Sequence, residues 1–187
     1  MDKMKTAVLI TLFLVLVLVC YGLKIGDRTD EVIAVRDNFS EGMELSFDLD
    51  WNNQSNGCYL TASLYLCPTA TNGSPRNEKD WLKFEYVGVP PGRNARCVIA
   101  AKRDENVKYL HTEGWPEQKS GRHIAYQRIK IILDNKSLKV IENGTEIYCT
   151  PSHGLEFSSA YLYLQMSSHS NYPAREIYFD NLVVVAC

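Results

Sequence analysis

The chain has 187 residues, of which 45% are apolar and 22% charged. That length suits one domain with a short appendage, and the composition is that of an ordinary globular chain, which excludes wholesale disorder and a collagen-like rod. The formal charge is −2 and the pI about 6.1, so no global field draws in nucleic acid or anionic lipid.

Residues 1–22 read as an address. Lys3 and Lys5 precede an apolar run from Ala7 to Val19, broken only by Thr11. A basic start followed by such a run is the pattern of an export signal. The run is short of the roughly 20 residues of a membrane span, although Cys20 to Leu23 extend it. Cys20 and Gly22 stand at −3 and −1 of a cut after Gly22. Val17-Leu18-Val19-Cys20 resembles a lipoprotein signal, with Val19 bulky where a small residue is wanted. Three readings stay open: a cleaved signal, a retained membrane anchor, and a lipid on Cys20. All three place the chain outside the cytoplasm, secreted or at the cell surface. The segment is apolar on every face, unlike an amphipathic core helix. Residues 23–37 are polar and charged and read as a spacer, with Val32 to Val35 opening the first strand. The folded domain is expected over 38–187.

Asn-x-Ser/Thr occurs five times, at Asn38, Asn53, Asn72, Asn135 and Asn143, where 12 Asn and 22 Ser plus Thr give about 1.4 by chance. The excess suits a glycosylated exported surface. Six cysteines are present: Cys20, Cys58, Cys67, Cys97, Cys149 and Cys187. None has C-x-x-C spacing, so disulfides are the expected use in an exported chain. Cys58 and Cys67 fall near opposite ends of one strand, about 30 Å apart at the usual rise, and are not expected to bond to each other.

From Glu41 onward the period is two. Leu45, Phe47, Leu49 and Trp51 alternate with Glu44, Ser46, Asp48 and Asp50. Leu60, Ala62, Leu64 and Leu66 alternate with Tyr59, Thr61, Ser63 and Tyr65. Further strands are expected over 81–89, 96–102 and 107–111. Residues 128–133 and 138–142 form a hairpin across Asp134 to Ser137. Asn143-Gly144 signals a tight turn, leading into 146–149, and 161–167 and 176–185 close the chain. Turn residues cluster at 52–57, 68–77, 90–94 and 167–173. No helical stripe follows residue 37. The expected fold is therefore all-β, an antiparallel sandwich, with an apolar helix at the N-terminus.

The C-terminal third resembles the concanavalin A-like lectin/glucanase jelly roll. Tyr126 to Leu133, followed by Leu138 to Ile147, is similar to that family's hairpin, with Asn143 at the usual Asp of its turn. Tyr161 to Met166 resembles the strand lining the concave face, and Ile177 to Val185 the closing strand. The match is good over 120–187 and loose elsewhere. Laminarinase-type members carry Glu-x-Asp-x-x-Glu on a concave strand, often followed by Tyr-Val-Gly. Retaining hydrolysis requires such a pair of carboxyls about 5–5.5 Å apart. This chain has Asp80-Trp81-Leu82-Lys83-Phe84-Glu85-Tyr86-Val87-Gly88. Glu85 matches the acid/base position, Asp80 falls at the nucleophile position one methylene short, and Leu82 replaces the central Asp. The resemblance therefore implies a relative without the catalytic motif. If the chain is an enzyme, Glu85 and Asp80 are its carboxylates. On the strand itself Leu82, Phe84 and Tyr86 suit a core, while Lys83 and Glu85 suit a wet face.

Sugars bind under flat aromatic faces with amides and carboxylates reading the hydroxyls. By the resemblance Tyr161, Tyr163 and Gln165 share the concave face with Trp81, Lys83 and Glu85, while Tyr109 and His111 share a strand face leading to Trp115. The candidate carbohydrate site is thus Trp81, Tyr109, Trp115, Tyr163 and Gln165. His111, His123, His153 and His169 show no metal-ligand spacing and read as solvated. Glu44, Asp48 and Asp50 line one strand face, short of the converging oxygens that calcium needs. No Gly-x-Ser-x-Gly elbow or phosphate loop is present. No metal, cofactor or nucleic acid is expected. The partners expected are a glycan and, through residues 1–22, a membrane. The leading reading is an exported or surface-tethered sandwich that binds carbohydrate without catalysis. A glycoside hydrolase or polysaccharide lyase with an altered centre and a structural envelope protein are its rivals.

Overall fold

The computed structural model describes residues 23–25, 35–38, 42–50, 60–89, 93–112, 126–134, 136–168 and 177–186. The N-terminal address and Trp115 lie outside the described residues, as do Asn53, Asn135, Cys20, Cys58 and Cys187.

The chain forms β1 (Leu23–Ile25), β2 (Val35–Asn38), β3 (Met43–Asp50), β4 (Leu60–Cys67), β5 (Trp81–Val89), β6 (Arg93–Arg103), β7 (Asn106–Thr112), β8 (Tyr126–Leu133), β9 (Leu138–Glu142), β10 (Thr145–Thr150), β11 (Ser159–Ser168) and β12 (Ile177–Ala186). A single 3-10 turn, Pro75–Asn77, is the helical element among the described residues. The strands make two antiparallel six-stranded sheets. Sheet A runs β1-β12-β3-β8-β9-β10, and sheet B runs β2-β11-β4-β5-β6-β7. The expected sandwich is present, and the strand positions follow the two-residue rhythm. Two strands come from the segment read as a spacer. β1 pairs Leu23 with Phe179, and β2 pairs Val35 with Leu162, so each adds the outermost strand of one sheet.

Alternation builds the core. Leu45, Phe47 and Leu49 of β3 meet Leu64 and Leu66 of β4, Leu82 and Phe84 of β5, Ile129 and Ile131 of β8, and Leu162 and Leu164 of β11 in one buried cluster. Water is excluded from these faces because each sheet covers the apolar face of the other. Cys97 lies in this cluster, whereas Cys67 lies on the opposite face of sheet B. No disulfide is found among the described residues: Cys67 is a buried thiol and Cys149 an exposed one. None of the expected bridges is thus found among the described Cys67, Cys97 and Cys149, and alternation sends Cys67 and Cys97 to opposite sides of one sheet.

Turn chemistry sets the hairpins. Asn143 (φ 49°) and Gly144 (φ 81°) both take left-handed backbone, as the two-residue turn between β9 and β10 requires. The Asn143 side chain also accepts from the Arg128 N–H at 2.9 Å. Asp104 (φ 45°) and Glu105 (φ 70°) make the same kind of turn between β6 and β7 without the glycine that normally marks it.

Asp48 departs from the wet-face expectation. It is 2% exposed, accepting from Arg128 Nε at 2.9 Å and from Asn181 Nδ2 at 2.7 Å. Asn181 reaches it because the β12–β3 register shifts between Asp180 and Val183, with Asn181 at φ 51°. His153 also departs from expectation, being 2% exposed. Its Nδ1 accepts from the Leu155 N–H at 3.1 Å, and its Nε2 lies 3.1 Å from the Asp134 carbonyl. The ring thus ties the 151–158 connection to the β8–β9 turn.

Two substitutions test this account by urea denaturation. Leu64→Ala empties a fully packed core position and is expected to cost about 2–5 kcal/mol. At Gly144 an added Cβ meets nothing within 4 Å, so Gly144→Ala isolates the cost of left-handed backbone, expected at about 1–2 kcal/mol.

Candidate functional site

The outer face of sheet B, the concave face in the resemblance, gathers most of the expected residues. Cα register lays them in rows. Tyr163, Tyr65, Lys83, Ala100 and Tyr109 form one row, and Gln165, Ser63, Glu85, Val98 and Thr112 the next. Trp81 stands beside Lys102, and Tyr161 beside Cys67. Alternation along β5 and β11 is the cause, since Leu82, Phe84, Leu162 and Leu164 claim the core side.

Tyr65, Trp81 and Tyr163 on this face are not open. Tyr65, Cys67, Trp81, Ala100 and Tyr163 form a second buried cluster, with Tyr161 packed against it. Trp81 is 4% exposed and Tyr163 1%. The Trp81 ring stands edge-on to Tyr65, with centroids 5.7 Å apart. The 68–80 loop reaches back over this face. Its Thr71 N–H donates to Tyr163 Oη at 2.8 Å, and its Ser74 hydroxyl accepts from Gln165 Nε2 at 3.3 Å. Its Arg76 carbonyl accepts from the Trp81 indole N–H at 3.2 Å, and its Glu78 carbonyl accepts from Lys102 Nζ at 2.8 Å. The expectation of open Trp81 and Tyr163 faces is therefore corrected: a loop of the same chain covers them. A sequence shows that such a loop exists but not where it lies.

Beside this cover is a polar strip. Lys83 Nζ lies 2.8 Å from Glu85 Oε2 and 5.8 Å from the Trp81 ring centroid. Ser63 Oγ donates to the same carboxylate oxygen at 3.2 Å. Lys83, Glu85 and Gln165 are half-buried. On edge strand β7, Tyr109 is 66% exposed. Tyr109 and His111 do not share a face as expected. The register shifts between Ile99 and Ala100, so Tyr109 lies across from Ala100 and His111 across from Ile99 of the core. The His111 ring accordingly lies 5.2 Å from Tyr148. A bulge of this kind leaves no mark in residue spacing.

Asp80 does not join Glu85. The two are five positions apart along β5 and the residue before it, roughly 17 Å at the strand rise. A glycosidase pair is at most about 9.5 Å apart. Asp80 instead accepts from the Asp104 N–H at 3.0 Å. Two hollows lie at the end of the sandwich. One of about 220 Å³ is lined by Pro68, Asp80, Lys102, Arg103, Leu155 and Phe157. Another of about 710 Å³ lies along Lys136, His153 and Glu156. Arg103 and Glu156 bridge this end at 2.7 Å.

No protein-family profile and no curated protein matches the chain. Solved structures do. The β-glucanase of Bacillus licheniformis aligns with a TM-score of 0.56 at 7% identity, over 87% of this chain and 77% of its own. The carbohydrate-binding module CBM66 of Bacillus subtilis aligns with a TM-score of 0.55 at 10% identity, over 88% and 91%. Sheep galectin-11, in complex with glycerol, aligns with a TM-score of 0.53 at 10% identity, over 84% and 99%. The chain therefore has the concanavalin A-like jelly-roll fold.

Burial raises the pKa of Tyr65 well above that of a free phenol, and the charge of Glu85 adds to the shift. Burial also raises Tyr163, against the hydrogen bond from Thr71. Both phenols stabilise the fold below the unfolded pKa of about 10. Their contribution is lost as pH rises above it, because the unfolded chain then releases protons that the folded one keeps. Tyr65→Phe is expected to flatten the fall in stability above pH 10, read from urea midpoints at pH 8 to 11.

Proposed function

We propose that the chain is a carbohydrate-recognition domain without catalysis, and that its saccharide lies across the outer face of sheet B. The observation supporting this most directly is the half-buried polar strip of Lys83, Glu85 and Gln165. It flanks an aromatic cluster on the face where Tyr109 stands exposed at the edge. A carboxylate, an ammonium and a carboxamide suit vicinal hydroxyls, which both donate and accept. An exposed phenol ring offers an apolar face for sugar C–H groups. Two of the structural neighbours are a carbohydrate-binding module and a galectin, which is consistent with this reading. The non-catalytic part of the proposal is supported by Glu85 having Lys83 and Ser63 as partners and by Asp80 lying roughly 17 Å along the strand. Export to the cell exterior belongs to the same proposal, and rests on residues 1–22 and the five sequons. Asn72 and Asn143 are exposed.

A structural envelope role is the second reading, and the covered state of Trp81 and Tyr163 favours it. Binding to an array of immobilised glycans separates the two. Carbohydrate recognition is expected to give a saturable signal that Glu85→Gln and Tyr109→Ala each weaken about tenfold or more, with no new reducing ends or unsaturated products. A silent array supports the structural role. Product release abolished by Glu85→Gln overturns the non-catalytic reading. In a eukaryotic secretory host the chain is expected in the medium or on the cell surface, with a mass that falls on deglycosylation. Retention as unmodified cytosolic protein refutes export.

A further inference from the structure

The 68–80 loop occupies the face where the proposed ligand belongs, and it is held there by the chemistry expected of that ligand. Sheet B presents a phenol hydroxyl (Tyr163), a carboxamide (Gln165), an indole N–H (Trp81) and an ammonium (Lys102). Each is engaged by a polar atom of the loop: an N–H, a hydroxyl and two carbonyls. A polyhydroxylated saccharide presents the same donors and acceptors. Pro75 is the one buried residue among 68–80. It opens the 3-10 turn that packs against β4, the strand carrying Tyr65 and Cys67 on this face. A buried saturated ring held against a face that carries aromatic side chains takes up room a pyranose would otherwise fill. The rest of the loop is polar or exposed: Thr69, Asn72, Gly73, Arg76 and Asn77 anchor nothing in the core. Its attachment to sheet B rests on those four hydrogen bonds, on Pro75 and on the aromatic area it covers, with Asp80 accepting from the Asp104 N–H at its far end. Water can replace each of those bonds when the loop lifts, which places the loop at the low-stability end of the fold.

We propose that the 68–80 loop is a displaceable internal occupant of the binding face, and that a saccharide reaches Trp81, Tyr65 and Tyr163 by taking the place of Pro75 and its neighbours. This deepens the carbohydrate reading and rests on it. In the covered state the Lys83–Glu85–Gln165 strip and Tyr109 remain accessible while Trp81, Tyr65 and Tyr163 do not. The apparent affinity is then the intrinsic one multiplied by the fraction of molecules with the loop lifted, so weakening the loop's hold tightens binding.

Cys67 supplies a readout that needs no saccharide. Its thiol is fully buried in the covered cluster, and burial pushes its pKa up to about 12. Alkylation by iodoacetamide at pH 8, mapped to the Cys67 peptide by mass spectrometry, therefore reports lifting of the loop. The full chain is compared with Pro75→Gly, which removes the ring, and with Ser74→Ala, which removes one latch and keeps the turn. Circular dichroism verifies that each keeps its sheet content. Labelling is expected to speed up about tenfold in Pro75→Gly and severalfold in Ser74→Ala. Affinity on the immobilised glycan array is expected to tighten by similar factors. Unchanged labelling in both variants overturns the proposal and makes the loop a fixed part of the fold, while glycan binding by the same proteins leaves the carbohydrate reading intact. Faster labelling with unchanged glycan affinity also overturns it, placing the saccharide away from the covered cluster. Faster labelling with no glycan bound by any of the three proteins overturns the carbohydrate reading and, with it, the ligand assigned to the uncovered face.

Discussion

Tyr65, Cys67, Trp81, Ala100 and Tyr163 are buried on the side of sheet B that faces away from sheet A. A sandwich normally leaves one face of each sheet to water, with the apolar set inside and the polar set outside. Here β4, β5 and β11 are buried on both faces, and the second burial is made by the connection between two neighbouring strands. The constraint is one of satisfaction. Once aromatic rings are covered, the phenol and indole groups they carry must find partners, since a buried polar group left without one is costly. The loop backbone provides those partners. The polar tips of the sheet thus hold the loop, and the loop keeps water from the rings.

The same constraint shapes the electrostatics of the face. Covering Tyr65 and Tyr163 raises the pKa of both phenols through burial. Lys102 is 8% exposed, and its Nζ meets the Glu78 carbonyl and the Glu105 carboxylate, each at 2.8 Å. Lys83 and Glu85 are partners in the same way at the margin of the cover. What remains accessible is a narrow polar strip with one phenol at its edge. That is a surface suited to hydroxyl groups and unsuited to moving a proton between two carboxylates.

Sheet A follows a different logic. Its outer face is charged, and the buried Asp48 is held by Arg128 and by Asn181 on a bulge. The end of the sandwich is closed by short-range devices: His153 pinning the 151–158 connection, and the Arg103–Glu156 bridge. The Arg103–Glu156 bridge ties the end of β6 in sheet B to the connection that leads into β11.

Period-two alternation was enough to locate the strands, to assign Leu82, Phe84, Leu162 and Leu164 to the core and Lys83, Glu85 and Gln165 to the other side, and to mark Asn143-Gly144 as a hairpin turn. Those are local properties: the backbone alternates at every residue, and a left-handed turn selects its residues directly. The opening of the Val35–Asn38 strand was legible at Val35, but the pairing of Leu23–Ile25 was not, because a strand of three residues carries no readable period. The burial of Asp48 and the parting of Tyr109 from His111 were hidden too, since bulges on β12 and β7 alter register without altering spacing. Above all, the sequence revealed a polar loop at 68–77 and aromatic residues on β5 and β11, but not that the first lies on the second. That placement depends on contacts as far as 92 residues apart, such as Thr71 with Tyr163. Only the closed tertiary structure brings them within hydrogen-bonding reach.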